Sequence, residues 1–155
     1  TMQFFNGDGR VLLDRGAESR FSLYAESEAS LLGVVYSEPG IMTAAPYEVI
    51  DADHWSLAGT KVKVGDVFGS RSLHMRIPGG ASGHETDKRS PSSPANTHLI
   101  ARGMNPDRGG AEIVHFDTDS GGEVFSVGSI TWSASVLVDD VVSAMTANVL
   151  RRFTS

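Results

Sequence analysis

The sequence predicts an α+β domain, an antiparallel or mixed β-sheet closed by a C-terminal amphipathic helix. Three observations carry this. The last third of the chain runs in short alternating apolar and polar stretches separated by Gly- and Asp-rich turns. An apolar stripe at helical spacing follows, from Val141 to Phe153. The 17 glycines and 6 prolines make turns frequent and long helices scarce elsewhere. At 155 residues the chain is long enough for one domain with a real core and too short for two, so residues 1–155 are expected to form a single unit.

Each element has its own signal. The stretch from Phe4 to Tyr24 is weakly patterned; Asn6-Gly7-Asp8-Gly9 predicts a turn and Val11-Leu12-Leu13 a short strand. Leu31 to Tyr36 is apolar and β-branched and predicts a buried strand, ended by Pro39-Gly40. Tyr47 to Ile50 predicts another. Between Trp55 and Gly69 two short β pieces are expected around a tight turn at Gly65-Asp66. Arg76 to Asn96 has no visible period and reads as a loop of about twenty residues, a length that marks functional or mobile segments in compact domains.

The C-terminal part is the clearest. Thr97 to Met104 reads as a strand, followed by turn signals at Asn105-Pro106-Asp107 and Gly109-Gly110. In the next strand, Ala111 to Asp117, Glu112, Val114 and Phe116 point one way and Ile113 and His115 the other. Asp119-Ser120-Gly121-Gly122 turns the chain into a third strand, Glu123 to Thr131, completing an antiparallel meander. Asp139 or Asp140 then caps a helix whose stripe is Val141, Met145, Val149 and Phe153, joined by Val142 and Leu150. Arg151 and Arg152 occupy its last turn, where cations suit the helix dipole.

Composition excludes several classes. Apolar residues make up 40% and charged residues 21%, ordinary for a globular chain. The net charge of −6 argues against nucleic acid or an anionic membrane surface as partner. No apolar run approaches the roughly 20 residues of a membrane span. No signal peptide is expected, because no basic segment followed by an apolar stretch opens the chain. The absence of cysteine rules out disulfides and thiolate metal sites, and is compatible with the cytoplasm, the expected compartment. No phosphate-binding loop, dinucleotide fingerprint or Gly-x-Ser-x-Gly elbow occurs, so a nucleotide cofactor and a serine nucleophile are unsupported.

Two segments carry candidate chemistry. Gly83-His84-Glu85-Thr86-Asp87-Lys88 places an imidazole and two carboxylates together in the Gly-rich loop. Iron or zinc accepts that ligand set, and Glu85 could also act as a general base. The competing reading is a solvated loop in which Lys88 and Arg89 pair with Asp87 and Glu85. Asp51, Asp53, His54 and Trp55 form a second polar cluster, either a ligand site at His54 or a turn whose imidazole is held by a carboxylate and whose indole packs inward. His74, His98 and His115 lie in or near strand-like runs and are expected to be half-buried strand residues.

Three blocks resemble one family when taken together. They are Asp53-His54-Trp55-Ser56-Leu57-Ala58-Gly59-Thr60 running on to Gly65-Asp66-Val67-Phe68-Gly69, the Gly83 to Lys88 segment, and Gly121 to Trp132 with Asp139-Asp140 and Asn148 to Phe153. This pattern, from about Leu31 to Phe153, resembles the C-terminal part of the large (beta) subunit of N,N-dimethylformamidase and its relatives. The resemblance implies a domain similar to class I glutamine amidotransferases without their Cys-His pair. It also implies a mononuclear iron held by two tyrosines and a glutamate, used to hydrolyse a small amide. Glu85 matches the metal glutamate, and His84 becomes an acid/base or supporting residue beside it. The family's metal tyrosines lie N-terminal to the region covered, and Tyr24, Tyr36 and Tyr47 match no such motif. The chain is therefore expected to be the C-terminal portion of a larger enzyme subunit, partnered by the N-terminal remainder or by further copies of itself. The alternative is a non-catalytic structural or oligomerisation domain without metal.

Overall fold

The computed structural model describes residues 27–155. The turn expected at Asn6 to Gly9 and the strand at Val11 to Leu13 lie outside these residues. Among the described residues, no helix is long and apolar enough to cross a membrane.

The frame is a five-stranded sheet. β3 (Tyr47–Val49), β4 (Val67–Phe68), β7 (His98–Gly103), β8 (Glu112–Asp117) and β9 (Glu123–Ser126) stand in the order β4-β3-β7-β8-β9, with every neighbouring pair antiparallel. The expected meander is β7-β8-β9. Its second turn closes through the Thr118 N–H to the Gly122 carbonyl and the Gly122 N–H to the Thr118 hydroxyl. A register shift between Leu99 and Ala101 marks a bulge in β7, which leaves Ile100 and Ala101 both buried. Residues 112–116 of β8 are all buried, because both faces of the strand are covered. Ile113 joins the main core, while Val114 and Phe116 pack at Gly33.

The C-terminal helix α3 (Asp140–Thr154) is capped as expected. One carboxylate oxygen of Asp139 accepts from the N–H groups of Val141 and Val142, and the other from that of Gly69, which ties the helix start to the end of β4. Val142 and Met145 are fully buried, against a core that includes Tyr47, Phe68, Ile113 and Trp132. The expected stripe extends too far toward the C-terminus, since Leu150 and Phe153 are exposed. Hydrogen bonds dock that end instead: Asn148 Nδ2 donates to the carbonyls of Ser56 and Ala58, on and beside the 3-10 turn Trp55–Leu57.

Four sequence expectations are corrected. Leu31 to Tyr36 is not one strand. α1 (Ala29–Leu32) ends at Gly33 in the left-handed region (φ 77°), and only β1 (Val35–Tyr36) is extended. Of the two β pieces expected between Trp55 and Gly69 only β4 forms, although the turn is present, with the Lys63 N–H bonded to Asp66 Oδ2. The Arg76 to Asn96 loop contains two short strands, β5 (Ser82–Gly83) and β6 (Asp87–Lys88). They pair antiparallel with β2 (Ala44–Ala45) and β1 respectively. The last strand stops at Ser126, and a short helix α2 (Trp132–Ser135) follows where strand was expected to end.

One close approach joins the small ribbons to the sheet. A Cβ on Gly40 would lie 1.6 Å from Thr86 Oγ1 and 2.1 Å from the Gly109 carbonyl, so only glycine lets the Glu38–Gly40 turn meet the Pro106–Arg108 turn. Thr86 Oγ1 donates to the Gly109 carbonyl at that point.

Candidate functional site

The Ser82 to Lys88 segment is pinned at intervals. The Ser82 hydroxyl donates to Asn105 Oδ1, the Gly83 N–H donates to the Ser129 hydroxyl, and Thr86 is fully buried. Between these anchors His84 and Glu85 are half-buried. His84 adopts φ 67°, uncommon for a residue with a Cβ and held here by its N–H to the Thr43 carbonyl and its carbonyl to the Met42 N–H. The segment is a fixed ridge rather than a solvated loop.

The imidazole of His84 faces that of His74, with His84 Nδ1 3.2 Å from His74 Nε2. His74 Nδ1 accepts from the Ile77 N–H, so the neutral His74 carries its proton on Nε2 and donates it to His84 Nδ1. Neutral His84 is thereby left with a proton on Nε2, an outward hydrogen-bond donor. His74 was expected to be an ordinary strand residue; it lies outside any strand and orients His84.

The carboxylates of the ridge lack the cations expected beside them. Arg89 pairs with Glu112 at 2.9 Å, and Lys88 Nζ donates to the Arg108 carbonyl. The Glu85 carboxylate makes no hydrogen bond or ion pair among the described residues. Burial raises the pKa of Asp87 to about 7, and the charges of Glu85 and Glu28 push it the same way. The arrangement favours a cation or a proton.

A second cluster covers the other end of the sheet. His98 and His115 are register partners across β7 and β8, and His54 lies over both, its ring 5.7 Å from that of His98 and 5.1 Å from that of His115. His98 Nε2 donates to Asp51 (2.7 Å) and His115 Nε2 to Glu123 (3.0 Å). Arg152 grips Glu123 with two hydrogen bonds, 2.6 and 2.9 Å, and its guanidinium lies 4.7 Å from the Trp55 ring centre. His54 Nδ1 takes the Ser56 N–H, and its Nε2 is buried without a partner among the described residues. Burial, then the charges of His115 and His98, lower the His54 pKa to about 4. The half-buried Trp55 indole packs tilted or edge-on against His54, His115 and Phe125, and the carboxylate expected to hold the His54 imidazole is engaged elsewhere: Asp51 binds His98, while Ser56 holds His54.

Within this cluster His115, Asp117 and Glu123 present ligand atoms that all lie within 4.8 Å of one another, a set that could hold a metal ion. The sequence reading missed this trio. The signal was available: the turn at Asp119 to Gly122 puts Asp117 opposite Glu123, and His115, two residues away, shares their face. The ridge and the trio are separate, and Glu85 belongs to no group of metal-ligand spacing among the described residues.

A groove of about 490 Å³ opens beside Lys88, lined also by Glu48, Arg102, Gly103, Met104, Asn105, Arg108 and Glu112. Glu112 within it binds both Arg89 and Arg102.

No curated protein matches the chain. The profile of the family described as N,N-dimethylformamidase beta subunit-like, C-terminal, matches residues 14–143, most of the sequence and all three blocks that carry the resemblance except the end of α3. The chain therefore belongs to the N,N-dimethylformamidase beta subunit-like C-terminal family.

Proposed function

We propose that this chain is the C-terminal portion of a metal-dependent amidohydrolase of the dimethylformamidase type, part of a glutamine-amidotransferase-like domain, and that it lends Glu85 to a mononuclear iron site. The observation that carries the reading is the ridge itself, where Glu85 has no cation partner among the described residues and its charge acts on Asp87. Carboxylate oxygens suit iron, and a positive ion would relieve the mutual repulsion of these acids. The described residues offer Glu85 no neighbouring second ligand at metal-ligand spacing, so the remaining ligands come from outside this region.

Iron bound there would polarise the amide carbonyl and activate a water. The chain's own residues do the rest. Glu85 anchors the ion from a backbone pinned on both sides. His84, its tautomer set by His74, offers an Nε2 proton to the substrate's oxygen or departing nitrogen. Ile41 and Met42 are exposed, and the Met42 N–H bonds the His84 carbonyl, so an apolar border flanks the ridge on this side. The remainder of the subunit is the partner proposed for that border. A small, neutral amide is the proposed substrate.

The test is iron content and amide hydrolysis in the complete subunit carrying Glu85→Gln. Loss of stoichiometric iron from a subunit that still folds cooperatively is the expected result. Iron retained at wild-type level would remove the proposal and leave the structural or oligomerisation role.

A further inference from the structure

We infer that the groove beside Lys88 is a binding site for an oxyanion, the phosphate or carboxylate group of a small molecule, held by Lys88, Arg102 and Arg108. The site needs nothing from the Glu85 proposal. Three cations line the groove against two carboxylates, Glu48 and Glu112. Glu112 is already committed. Arg89, from beside the groove, gives one of its oxygens both a backbone N–H and Nε, and Arg102 Nε approaches the other at 3.4 Å. Glu48 is the register partner of Arg102 across β3 and β7, yet it forms no ion pair among the described residues.

The open donors decide the sign of the ligand. An ammonium and a guanidinium each offer several N–H groups and no acceptor. Lys88 spends one on the Arg108 carbonyl, an uncharged partner, and Arg102 spends only Nε. The Arg108 side chain makes no hydrogen bond or ion pair among the described residues. The cations are also close enough to act on one another. Burial lowers the Lys88 pKa; Glu112 opposes this, and the charges of Arg102 and Arg108 add to it. The backbone holds the arrangement in place. Asp107 and Arg108 both adopt positive φ (54° and 57°), a costly conformation for two successive residues with a Cβ. The Lys88 bond to the Arg108 carbonyl ties that turn to β6 and keeps Arg108 at the groove wall. An oxyanion relieves the repulsion, and guanidinium forks match its paired oxygens. The groove, at about 490 Å³, has the size of a small-molecule site, and exposed Met104 offers the ligand's body an apolar contact.

The experiment titrates the whole chain by calorimetry with inorganic phosphate and, separately, with succinate, at constant ionic strength. One saturable equivalent of at least one of them is expected, and the one that binds identifies the group as phosphate or carboxylate. Arg108→Gln should weaken binding by about tenfold or more, the worth of charge-assisted hydrogen bonds lost. Arg108 is exposed and its side chain holds nothing else among the described residues, so this variant folds and decides the matter. Glu48→Gln, which takes a carboxylate out of the groove, should tighten binding. Arg71→Gln, an exposed cation outside the groove lining, should leave it unchanged. Glu85→Gln should leave it unchanged too, so this inference and the iron proposal can fail separately. Absence of saturable binding of either probe to the folded wild-type chain would overturn the inference. So would binding that Arg108→Gln leaves within about twofold, or that Arg71→Gln weakens equally.

Discussion

A buried carboxyl, Glu112, and a half-buried one, Asp87, are treated in opposite ways. Glu112 opens β8 and Asp87 opens β6, and the Asp87 N–H bonds the carbonyl of Gly128, a residue that approaches the Glu112 backbone. Burial alone would raise both pKa values. At Glu112 the Arg89 side chain and backbone N–H, with the charges of Arg89 and Arg102, outweigh it and hold the carboxyl below its usual range. At Asp87 no cation among the described residues answers, and burial, with the charges of Glu85 and Glu28 added, takes the value to about 7. Two arginines and a lysine are within the same neighbourhood, yet all are turned toward Glu112, the groove and the Arg108 carbonyl. One region is an ion-paired brace; the other is a concentration of negative charge maintained beside it. Structural carboxylates are neutralised within the fold, and carboxylates left unneutralised at half burial are candidates for work on something that arrives.

The comparison presumes a rigid connection between the two regions, and that connection is the largest thing to break. A Cβ on Gly110 would stand 1.7 Å from the Gly103 carbonyl, between the strands that carry Arg102 and Glu112. Gly110→Ala has no flexible neighbour to displace and must move backbone. A loss of about 3 kcal/mol is expected, the upper part of the range for overpacking. Chemical denaturation should show it, together with loss of the brace in the fraction that still folds.

Glu112→Gln tests the brace alone. Charge-assisted hydrogen bonds from Arg89 and Arg102 set an expected cost of about 1–3 kcal/mol at pH 7. The pH dependence has a definite sign. Because the folded pKa is depressed, the contribution is fully present above the unfolded value near 4.5 and is lost as pH falls through the folded one. Wild type and variant should therefore converge in stability in acid. A gap that persists unchanged however far the pH is lowered, while both proteins stay folded, would mean the carboxylate's charge is not what stabilises this corner.

How much of this was readable in advance depends on the range of the signal. The meander and α3 were legible because alternation, turn residues and the Asp139 cap are local features. Leu31 to Tyr36 misled because composition says β while one glycine in the left-handed region ends a helical turn there. The ribbons β1-β6 and β2-β5 were invisible, since two-residue strands have no period and their partners are about forty to fifty residues away. The His84-Glu85 segment stood out as a motif, but its fixed geometry, the His74 contact and the diversion of Lys88 and Arg89 come only from tertiary packing. The His115-Asp117-Glu123 trio needed the β8-β9 register, which the turn residues imply but adjacency in sequence does not.

The smallest expected effect is the sharpest test of the comparison. If the ridge is a concentration of negative charge kept for a cation, then removing one charge should help the metal-free fold. Glu85→Gln takes a like charge from beside Asp87 and breaks no hydrogen bond or ion pair among the described residues. A gain of a few tenths to about 1 kcal/mol is expected in the metal-free chain at pH 8, measured by denaturant midpoint at constant slope. The same substitution made at Glu112 should have the opposite sign. A residue whose removal stabilises the fold is not retained for the fold, and improved stability at Glu85 would assign that carboxylate to function on thermodynamic grounds independent of iron analysis. A loss comparable to that at Glu112 would place Glu85 among the structural acids and erase the distinction between the two regions.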